Sequence, residues 1–155
     1  MKNKTAIIIG IYGQDGSYLA EFLIKKKYFV YGITNKIKKV DYFKKYKKNL
    51  KISKISINNF KSISTLIKKI SPDEIYHLAS YSNVKKSWME PKEAIVSNTI
   101  GTVNLFEAVR KLNIRPSIQI AGSSEEYGLS LKSGLPVTET IPLKPLSPYA
   151  VSKVI

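Results

Sequence analysis

The sequence predicts an α/β fold built on a doubly wound, parallel β-sheet. Three observations predict this class. Short apolar or β-branched runs alternate with segments of helical periodicity, glycines follow the first run at once, and that run, Thr5 to Ile9, is apolar after its first residue. Such a run is typical of a strand buried on both faces, as in a parallel sheet with right-handed connections.

The remaining elements follow in chain order. Apolar positions recur at helical spacing from Ser17 to Lys26, and three consecutive lysines suit the end of that helix because of the helix dipole. Later strands are predicted from short β-branched runs, and later helices from apolar residues three or four apart. These elements are strand Tyr28–Ile33, strand Leu50–Ile57, a helix that includes Ile63–Ile70, strand Glu74–Ala79, helix Glu93–Leu112 and strand Ser117–Ala121.

The last part of the chain is predicted to be a loop followed by a short helix. From Gly122 to Ser147 the sequence is rich in Ser, Gly and Pro. Ligands of parallel sheets bind beyond the carboxyl ends of the strands, so this loop is expected to carry site residues. Ser147 is a favourable N-cap and Pro148 suits the first helical position. Because the chain stops at Ile155, barely two turns later, we expect it to be the front part of a longer protein.

The composition excludes several protein classes. Apolar residues make up 43% of the 155 residues, which is enough to bury a core and argues against global disorder. The absence of cysteine rules out a disulfide scaffold and a thiolate metal site, and a single histidine disfavours any metal site. The longest apolar run near the N-terminus is far too short to span a bilayer. The sequence therefore predicts a cytoplasmic protein without a metal or membrane partner.

The charge balance is strongly basic. The chain has 26 basic and 11 acidic residues, for a formal net charge of +15. Lysines that neutralise phosphates release counterions, so a nucleic-acid partner is one interpretation. However, 24 of the basic residues are Lys and only two are Arg, whereas proteins that read bases favour Arg. The lysines between Lys25 and Lys69 are therefore interpreted as solvated surface, and no nucleic-acid partner is predicted.

Gly10, Gly13 and Gly16 lie between the first strand and the first helix. At this place glycine allows a tight turn and lets the backbone approach a pyrophosphate at the helix N-terminus. In an ordinary loop the spacing would indicate only a turn. Between a buried strand and an amphipathic helix it favours dinucleotide binding.

The end of the second strand bears on which dinucleotide is bound. NAD-binding proteins usually place an acidic residue there to accept a hydrogen bond from the ribose 2′-hydroxyl. This sequence has no carboxylate in that position, and Lys36 and Lys38 stand there instead. Lysines suit a 2′-phosphate, so the segment favours NADP, although lysine is common throughout this chain.

Tyr149 and Lys153 are four residues apart, which places both on one face of the final helix. A phenol is a poor base at neutral pH because its pKa is about 10, but a nearby ammonium and a positively charged nicotinamide favour the phenolate. Such a tyrosine can take the proton of a substrate hydroxyl. The pair is common by itself, but with the glycines and Ser123 after the fifth strand it predicts a redox site.

The order of motifs resembles the extended short-chain dehydrogenase/reductase family over essentially the whole chain. These motifs are Gly10-x-x-Gly13-x-x-Gly16, His77-Leu78-Ala79, Asn98 in Asn-Thr-Ile-Gly-Thr-Val-Asn-Leu, Ser123, and Tyr149-x-x-x-Lys153. Within that family, the segment from Gly10 to Glu21 and the triplet Ser123-Ser124-Glu125 are most similar to the GDP-mannose 4,6-dehydratases. The resemblance implies that residues 1–155 form an NAD(P)-binding Rossmann domain without its C-terminal substrate-binding part.

The resemblance also implies roles for individual residues. Ser123 is expected to bind the substrate's C4 oxygen, Glu125 to act as general base, and Tyr149 and Lys153 to exchange the proton and hold the cofactor ribose. Ser82 is a further expected substrate contact, with an ordinary loop hydroxyl as the alternative. The expected cofactor-binding residues are Gly10, Gly13, Gln14, Asp15, Gly16, Lys36, Ile57, Leu78, Ala79, Tyr149 and Lys153.

The expected function is the NADP-dependent conversion of GDP-mannose to its 4-keto-6-deoxy product, by a protein that is a homo-oligomer when full length. Spacing alone does not choose Glu125 over Glu126 as the base, and the family triplet favours Glu125. The segment from Ser123 to Gly128, together with Ser152, also resembles GDP-4-keto-6-deoxymannose reductases and sugar epimerases. A nucleotide-binding fragment without catalysis is the third hypothesis.

Overall fold

The computed structural model describes residues 3–38, 41–133 and 136–155. The helices are α1 (Gln14–Lys25), α2 (Phe60–Ile70), α3 (Val84–Met89), α4 (Pro91–Lys111) and α5 (Pro148–Val154). The strands are β1 (Thr5–Ile9), β2 (Phe29–Thr34), β3 (Leu50–Lys54), β4 (Glu74–His77) and β5 (Ser117–Ile120). Short 3-10 helices span Asp41–Tyr46, Ser124–Glu126 and Gly128–Ser133. None of the helices in the described ranges has the length and apolar character needed to cross a membrane.

The five strands form one parallel sheet in the order β3-β2-β1-β4-β5. The chain builds outward from β1 to β3 and then crosses to the other side of β1 to add β4 and β5. In sheets of this kind, the ligand crevice lies outside the carboxyl ends of the strands where the direction reverses, here β1 and β4. The predicted Rossmann-type sheet is therefore confirmed.

The described chain divides into two compact units. The first contains the whole sheet and comprises residues 1–79 and 101–121, and the second comprises residues 80–100 and 122–155. In the first unit, alternate residues of β1 face opposite sides of the sheet. Ile7 and Ile9 join the core cluster that includes residues of α2 and α4, whereas Ala6 and Ile8 join the cluster that includes residues of α1.

Several helices and strands begin or end at other residues than the sequence predicts. Helix α1 begins at Gln14 rather than Ser17, because the last glycine of the turn is part of its first turn. Strand β3 ends at Lys54 rather than Ile57, since the chain turns there towards Asn59, whose side-chain oxygen caps α2 by accepting from Ser62 N at 3.0 Å. Strands β4 and β5 end earlier than predicted, by two residues and one residue.

Helix α3 and the three 3-10 helices were not predicted. Asn83 caps α3 by accepting from Lys86 N at 2.8 Å, and α4 begins at Pro91 directly after the short linker at Glu90. Asn83 was therefore present in the sequence as an N-cap signal for α3, and Pro91 as a signal for the start of α4. The predicted loop after β5 contains two of the 3-10 helices, and its residues 134 and 135 lie outside the described ranges.

Glu74 anchors the amino end of β4 in the first unit. Its two carboxylate oxygens accept from the hydroxyls of Tyr28 at 2.7 Å and Tyr76 at 2.8 Å, and Lys4 lies 3.5 Å away. Burial raises the pKa of Glu74, but the two phenols and Lys4 outweigh burial and lower the pKa below its usual 4.5. A carboxyl group with a lowered pKa in the folded state stabilises the fold above its unfolded pKa.

We expect this stabilisation to be lost as the pH falls from about 4.5 through the lower pKa of folded Glu74. Urea unfolding of the full chain at several pH values measures it. Glu74→Gln should flatten the pH dependence in this window, and Tyr28→Phe, which removes one of the two donors, should flatten it partly. An unchanged pH dependence in Glu74→Gln would show that other carboxylates dominate.

Candidate active site

The glycine turn at the carboxyl end of β1 is closed by backbone contacts. Gly10 has φ +97°, a conformation that favours glycine, and a Cβ added there would lie 2.8 Å from Ala79 N. Gly13 N donates to Gly10 O at 2.9 Å, and a Cβ on Gly16 would collide with the same carbonyl oxygen. Gly10 and Gly16 are thus required by the close packing of the turn itself.

The turn is attached to both neighbouring strands. Gly10 N donates to Ile33 O in β2 at 3.0 Å, and Leu78 N, just after β4, donates to Ile9 O at 2.9 Å. These bonds bring Leu78 and Ala79 beside the turn, as expected for residues that contact the same ligand. Their side chains are half-buried.

The first turn of α1 is open to an anion. Gly13 is the N-cap residue and has no side chain with which to cap, and Gln14 and Asp15 are exposed. The N–H groups of a first helical turn have no intrahelical acceptor, and they attract phosphate oxygens. A Cβ on Gly13 would lie 3.2 Å from Gly10 O, so a side chain there would fill part of the space beside the turn. The residues present therefore fit a pyrophosphate group.

Lys36 lies just beyond the carboxyl end of β2, next to β1 in the sheet. Its side chain is exposed, and its backbone is fixed by two hydrogen bonds with the hydroxyl of Thr34. Lys38 differs, since its ammonium lies 5.9 Å from the centroid of the Tyr12 ring. Both lysines are exposed, and within the described ranges Lys36 has no ring contact or ion pair of this kind.

Ile57 is a core residue in the described structure. Its side chain is only 7% exposed within the cluster beneath α2 and α4, and its carbonyl oxygen accepts from Asn104 Nδ2 at 3.0 Å. Gly101 in α4 allows this approach, because a Cβ there would lie 2.7 Å from Ile57 Cγ2. The structure thus gives Ile57 a packing role, and its expected contact with a cofactor stays a prediction.

Tyr149 and Lys153 share one face of α5 in the second unit. Tyr149 is buried, and Lys153 Nζ lies 6.0 Å from the centroid of its ring. Burial lowers the pKa of Lys153, and the carboxylate of Glu126 partly opposes this change. The spacing of four residues therefore brings the amine near the phenol ring, as the sequence predicts.

Hydrogen bonds fix the backbone on both sides of Tyr149. Its N–H donates to Ser87 Oγ at 3.2 Å, and its carbonyl oxygen accepts from Ser152 Oγ at 2.6 Å. Ser152 in turn accepts from Asn98 Nδ2 at 2.8 Å, and Asn98 Oδ1 accepts from Tyr81 N at 2.7 Å. The buried amide of Asn98 therefore connects α4, α5 and the loop before α3.

The two adjacent carboxylates after β5 differ in their contacts. Glu126 Oε1 accepts from Ser123 N at 2.7 Å, and Ser123 Oγ accepts from Glu125 N at 3.2 Å. Together with the backbone, these bonds make a capping box for the 3-10 helix. Glu126 is thus used to hold the loop, while Glu125 is exposed beside Ser123. The pattern Ser-x-x-Glu, here Ser123 and Glu126, is a sequence signal for this box.

Ser82 is exposed in the loop before α3, and its expected contact with a substrate stays a prediction. Across residues 3–38, 41–133 and 136–155, no cluster of three or more His, Asp or Glu side chains is arranged to hold a metal ion.

Two features of the site were not predicted from the sequence: the contact of Ser87 with the backbone of Tyr149, and the structural use of Glu126. The glycine turn, Lys36, Ile57, Leu78 and Ala79 lie in the first unit, and Ser82, Ser123, Glu125, Tyr149 and Lys153 lie in the second.

The family model and the relatives that match this sequence carry the same family name. A family model described as GDP-mannose 4,6 dehydratase matches residues 7–155. The chain is 37% identical over 164 residues to a GDP-mannose 4,6-dehydratase of Vibrio cholerae serotype O1, with 99% of this chain and 43% of that protein covered. It is also 37% identical to GDP-mannose 4,6 dehydratase 1 of Arabidopsis thaliana, with 97% and 45% covered. The chain therefore spans less than half the length of these relatives.

Solved structures show the same fold. A UDP-glucose 4-epimerase of Thermotoga maritima, solved with UDP-glucose, matches with a TM-score of 0.85 and 26% identity, over 97% of this chain and 48% of that one. An enzyme of Bordetella bronchiseptica solved in complex with NAD+ matches with a TM-score of 0.82 and 28% identity, over 99% and 50%.

Proposed function

The chain belongs to the GDP-mannose 4,6-dehydratase family of extended short-chain dehydrogenases/reductases, and on that premise we propose that the full-length protein converts GDP-mannose to GDP-4-keto-6-deoxymannose with NADP. The observation that carries this choice is the difference between the two carboxylates after β5. Glu126 is engaged in the capping box, whereas Glu125 is exposed beside Ser123. Removal of water from a sugar requires a general base of this kind in addition to the tyrosine.

In this proposal, both units belong to one NAD(P)-binding Rossmann domain. The glycine turn and the first turn of α1 hold the pyrophosphate, with Leu78, Ala79 and Ile57 along the cofactor. The bound NADP supplies the acceptor and donor of hydride at its nicotinamide ring. Lys36 pairs with the 2′-phosphate, and the absence of a carboxylate just after β2 supports this assignment over NAD.

The residues of the second unit act on the sugar. Tyr149 takes the proton of the C4 hydroxyl as that carbon is oxidised to a ketone, and the ammonium of Lys153 lies 6.0 Å from the centroid of the Tyr149 ring. Ser123 donates its hydroxyl proton to the C4 oxygen, which its recorded contacts permit because its Oγ is engaged only as an acceptor. Ser82 contacts the substrate from the loop before α3.

Glu125 acts after the ketone has formed. A hydrogen at C5 is acidic next to a C4 carbonyl, so a carboxylate removes it and the C6 hydroxyl leaves as water, protonated by the same residue. The resulting C5–C6 double bond is then reduced by hydride at C6, and Tyr149 returns the proton that it took from the C4 hydroxyl to C5. Hydride removed from C4 returns at C6, so the net change is the loss of one water molecule without net oxidation.

The full-length protein with GDP-mannose and NADP tests this function. We expect a 4-keto-6-deoxy product to form without any net conversion of NADP to NADPH. Consumption of NADPH that requires a 4-keto sugar would instead favour the reductase, and formation of a C4 epimer would favour an epimerase. The resemblance of the segment from Ser123 to Gly128 to those enzymes makes them the second candidates. Binding of NADP without turnover would favour a non-catalytic nucleotide-binding protein.

Glu125→Gln should lower product formation by about 10²- to 10⁴-fold, the usual contribution of a general base, with NADP affinity within about twofold. The matched control is Glu126→Gln. Glutamine also serves at this position of a capping box, so this variant should retain at least about a tenth of the turnover. A larger loss in Glu126→Gln than in Glu125→Gln would reverse the assignment of the two carboxylates.

We also propose that the full-length protein is a cytoplasmic homo-oligomer. Helix α4 is apolar on two opposite sides. Ala94, Leu105 and Ala108 are fully buried, whereas a second row remains 42% to 54% exposed and consists of Val96, Ile100, Val103 and Phe106. A helix that is apolar on both sides usually contacts protein on both. Sedimentation of the full-length protein tests this proposal, and a monomer would contradict it.

A further inference from the structure

Ser87 on α3 is a fully buried serine that contacts the backbone of Tyr149. Its side chain has 0% exposure, and its Oγ accepts from Tyr149 N at 3.2 Å across 62 residues of sequence. The same Oγ donates to Val84 O at 2.6 Å. A serine hydroxyl has one proton, and because that proton is directed to Val84 O, the oxygen faces Tyr149 N only as an acceptor.

The amide of Tyr149 depends on Ser87 because the other N–H groups of the first turn of α5 are satisfied within the helix and its cap. Pro148 has no N–H. Ala150 N donates to Ser147 Oγ at 3.0 Å, and Val151 N donates to Ser147 O at 2.9 Å. Tyr149 N is therefore the single N–H of this turn that is satisfied from another element. A buried N–H without an acceptor is strongly disfavoured, so this bond fixes where α5 begins.

The carbonyl side of Tyr149 is fixed as well, through Ser152 and Asn98. These two contacts come from α5 itself and from α4, so the contact with Ser87 is the one that ties the residue to α3. Helix α3 is in turn capped by Asn83, whose carbonyl oxygen also accepts from Ser87 N at 3.0 Å. Both peptide groups that flank the Tyr149 side chain are thus held.

We propose that Ser87 is a positioning residue, which holds the first turn of α5 so that the Tyr149 hydroxyl stays where it exchanges a proton with the substrate. This inference rests on the proposed role of Tyr149. It differs from a purely structural role because the anchored group is the backbone of the reacting residue. Loss of the anchor should therefore affect turnover more than substrate binding.

Ser87→Ala in the full-length protein tests this inference. A displacement of about 1 Å at a reacting group can cost about 10²-fold in rate, so we expect kcat to fall about 10- to 100-fold while KM for GDP-mannose stays within about threefold. Ser87→Cys keeps the shape and a weak acceptor, so its loss should be smaller. It also supplies the comparison if Ser87→Ala does not fold.

The matched control is Ser130→Ala. Ser130 is a buried serine of the same unit, whose Oγ donates to Pro142 O at 2.7 Å, a carbonyl outside α5. We expect kcat close to that of the wild type in this variant. Equal kcat losses in Ser87→Ala and Ser130→Ala, or a change in KM alone, would overturn the positioning role while leaving the proposed function intact.

Hydrogen exchange separates this inference from the proposed function. The amide of Tyr149 should exchange at least about tenfold faster in Ser87→Ala than in the wild type or in Ser130→Ala, since only the first variant removes its acceptor. If the wild type shows no dehydratase activity, the proposed function fails and this exchange rate still decides whether Ser87 anchors Tyr149. Unchanged exchange in Ser87→Ala would refute the anchor.

Discussion

Tyr149→Phe in the full-length protein should lower the rate of product formation from GDP-mannose by about 10³-fold, within the usual range for proton transfer by a positioned side chain. Phenylalanine keeps the ring but cannot take or return the proton of the C4 hydroxyl. The fold of α5 should persist, because Ser87 and Ser152 bind backbone atoms of residue 149 and not its hydroxyl. Product formation measured by chromatography, together with NADP affinity, checks both expectations.

Tyr76→Phe is the matched control for this prediction. It also removes a phenol hydroxyl, but from a half-buried tyrosine of β4 in the first unit, whose hydroxyl donates to Glu74 at 2.8 Å. We expect it to lower stability without a comparable loss of kcat. A Tyr149→Phe enzyme that retains more than about a tenth of wild-type kcat would refute the role of the phenol as the proton-transfer group.

Gly16→Ala should destabilise the full-length protein by about 1–3 kcal/mol, the usual cost of overpacking, and abolish measurable NADP binding. The added methyl group would meet backbone atoms that cannot rotate away. These are the carbonyl of Gly10 and the Cα of Ile11, the latter at 3.1 Å. The turn would have to open, and the N–H groups aimed at the pyrophosphate would move with it. Urea unfolding and fluorescence titration with NADP measure the two effects.

Gly13→Ala separates the two effects of that change. A Cβ on Gly13 would lie 3.2 Å from Gly10 O, its one close contact, and its φ of −70° suits any residue. We therefore expect a smaller loss of stability, but a clear loss of NADP affinity because the methyl group occupies space beside the phosphates. If Gly13→Ala binds NADP normally, the turn does not hold the pyrophosphate as proposed.

The sequence predicted all five strands, because each is a short run of β-branched and apolar residues between breaks in periodicity. It also predicted α5 from its cap, and the described structure shows Ser147 capping Ala150 N. It missed α3, since six residues with two lysines are too few to establish an apolar periodicity, and the helix depends on capping by Asn83 and packing against α5. The predicted end of β3 was wrong because Ile57, although apolar, packs into the core from the turn after the strand.

Local sequence pattern thus determined the five strands, the glycine turn after β1 and the helical pairing of Tyr149 with Lys153, because each of these depends on residues close together in the chain. Only the tertiary structure decided that Ser87 anchors the backbone of Tyr149, and that the amide of Asn98 connects α4, α5 and the loop before α3. The physical reason is that buried polar groups need hydrogen-bond partners, which here come from other elements. Both contacts depend on which distant segments meet, and no periodicity or spacing in a single sequence records that.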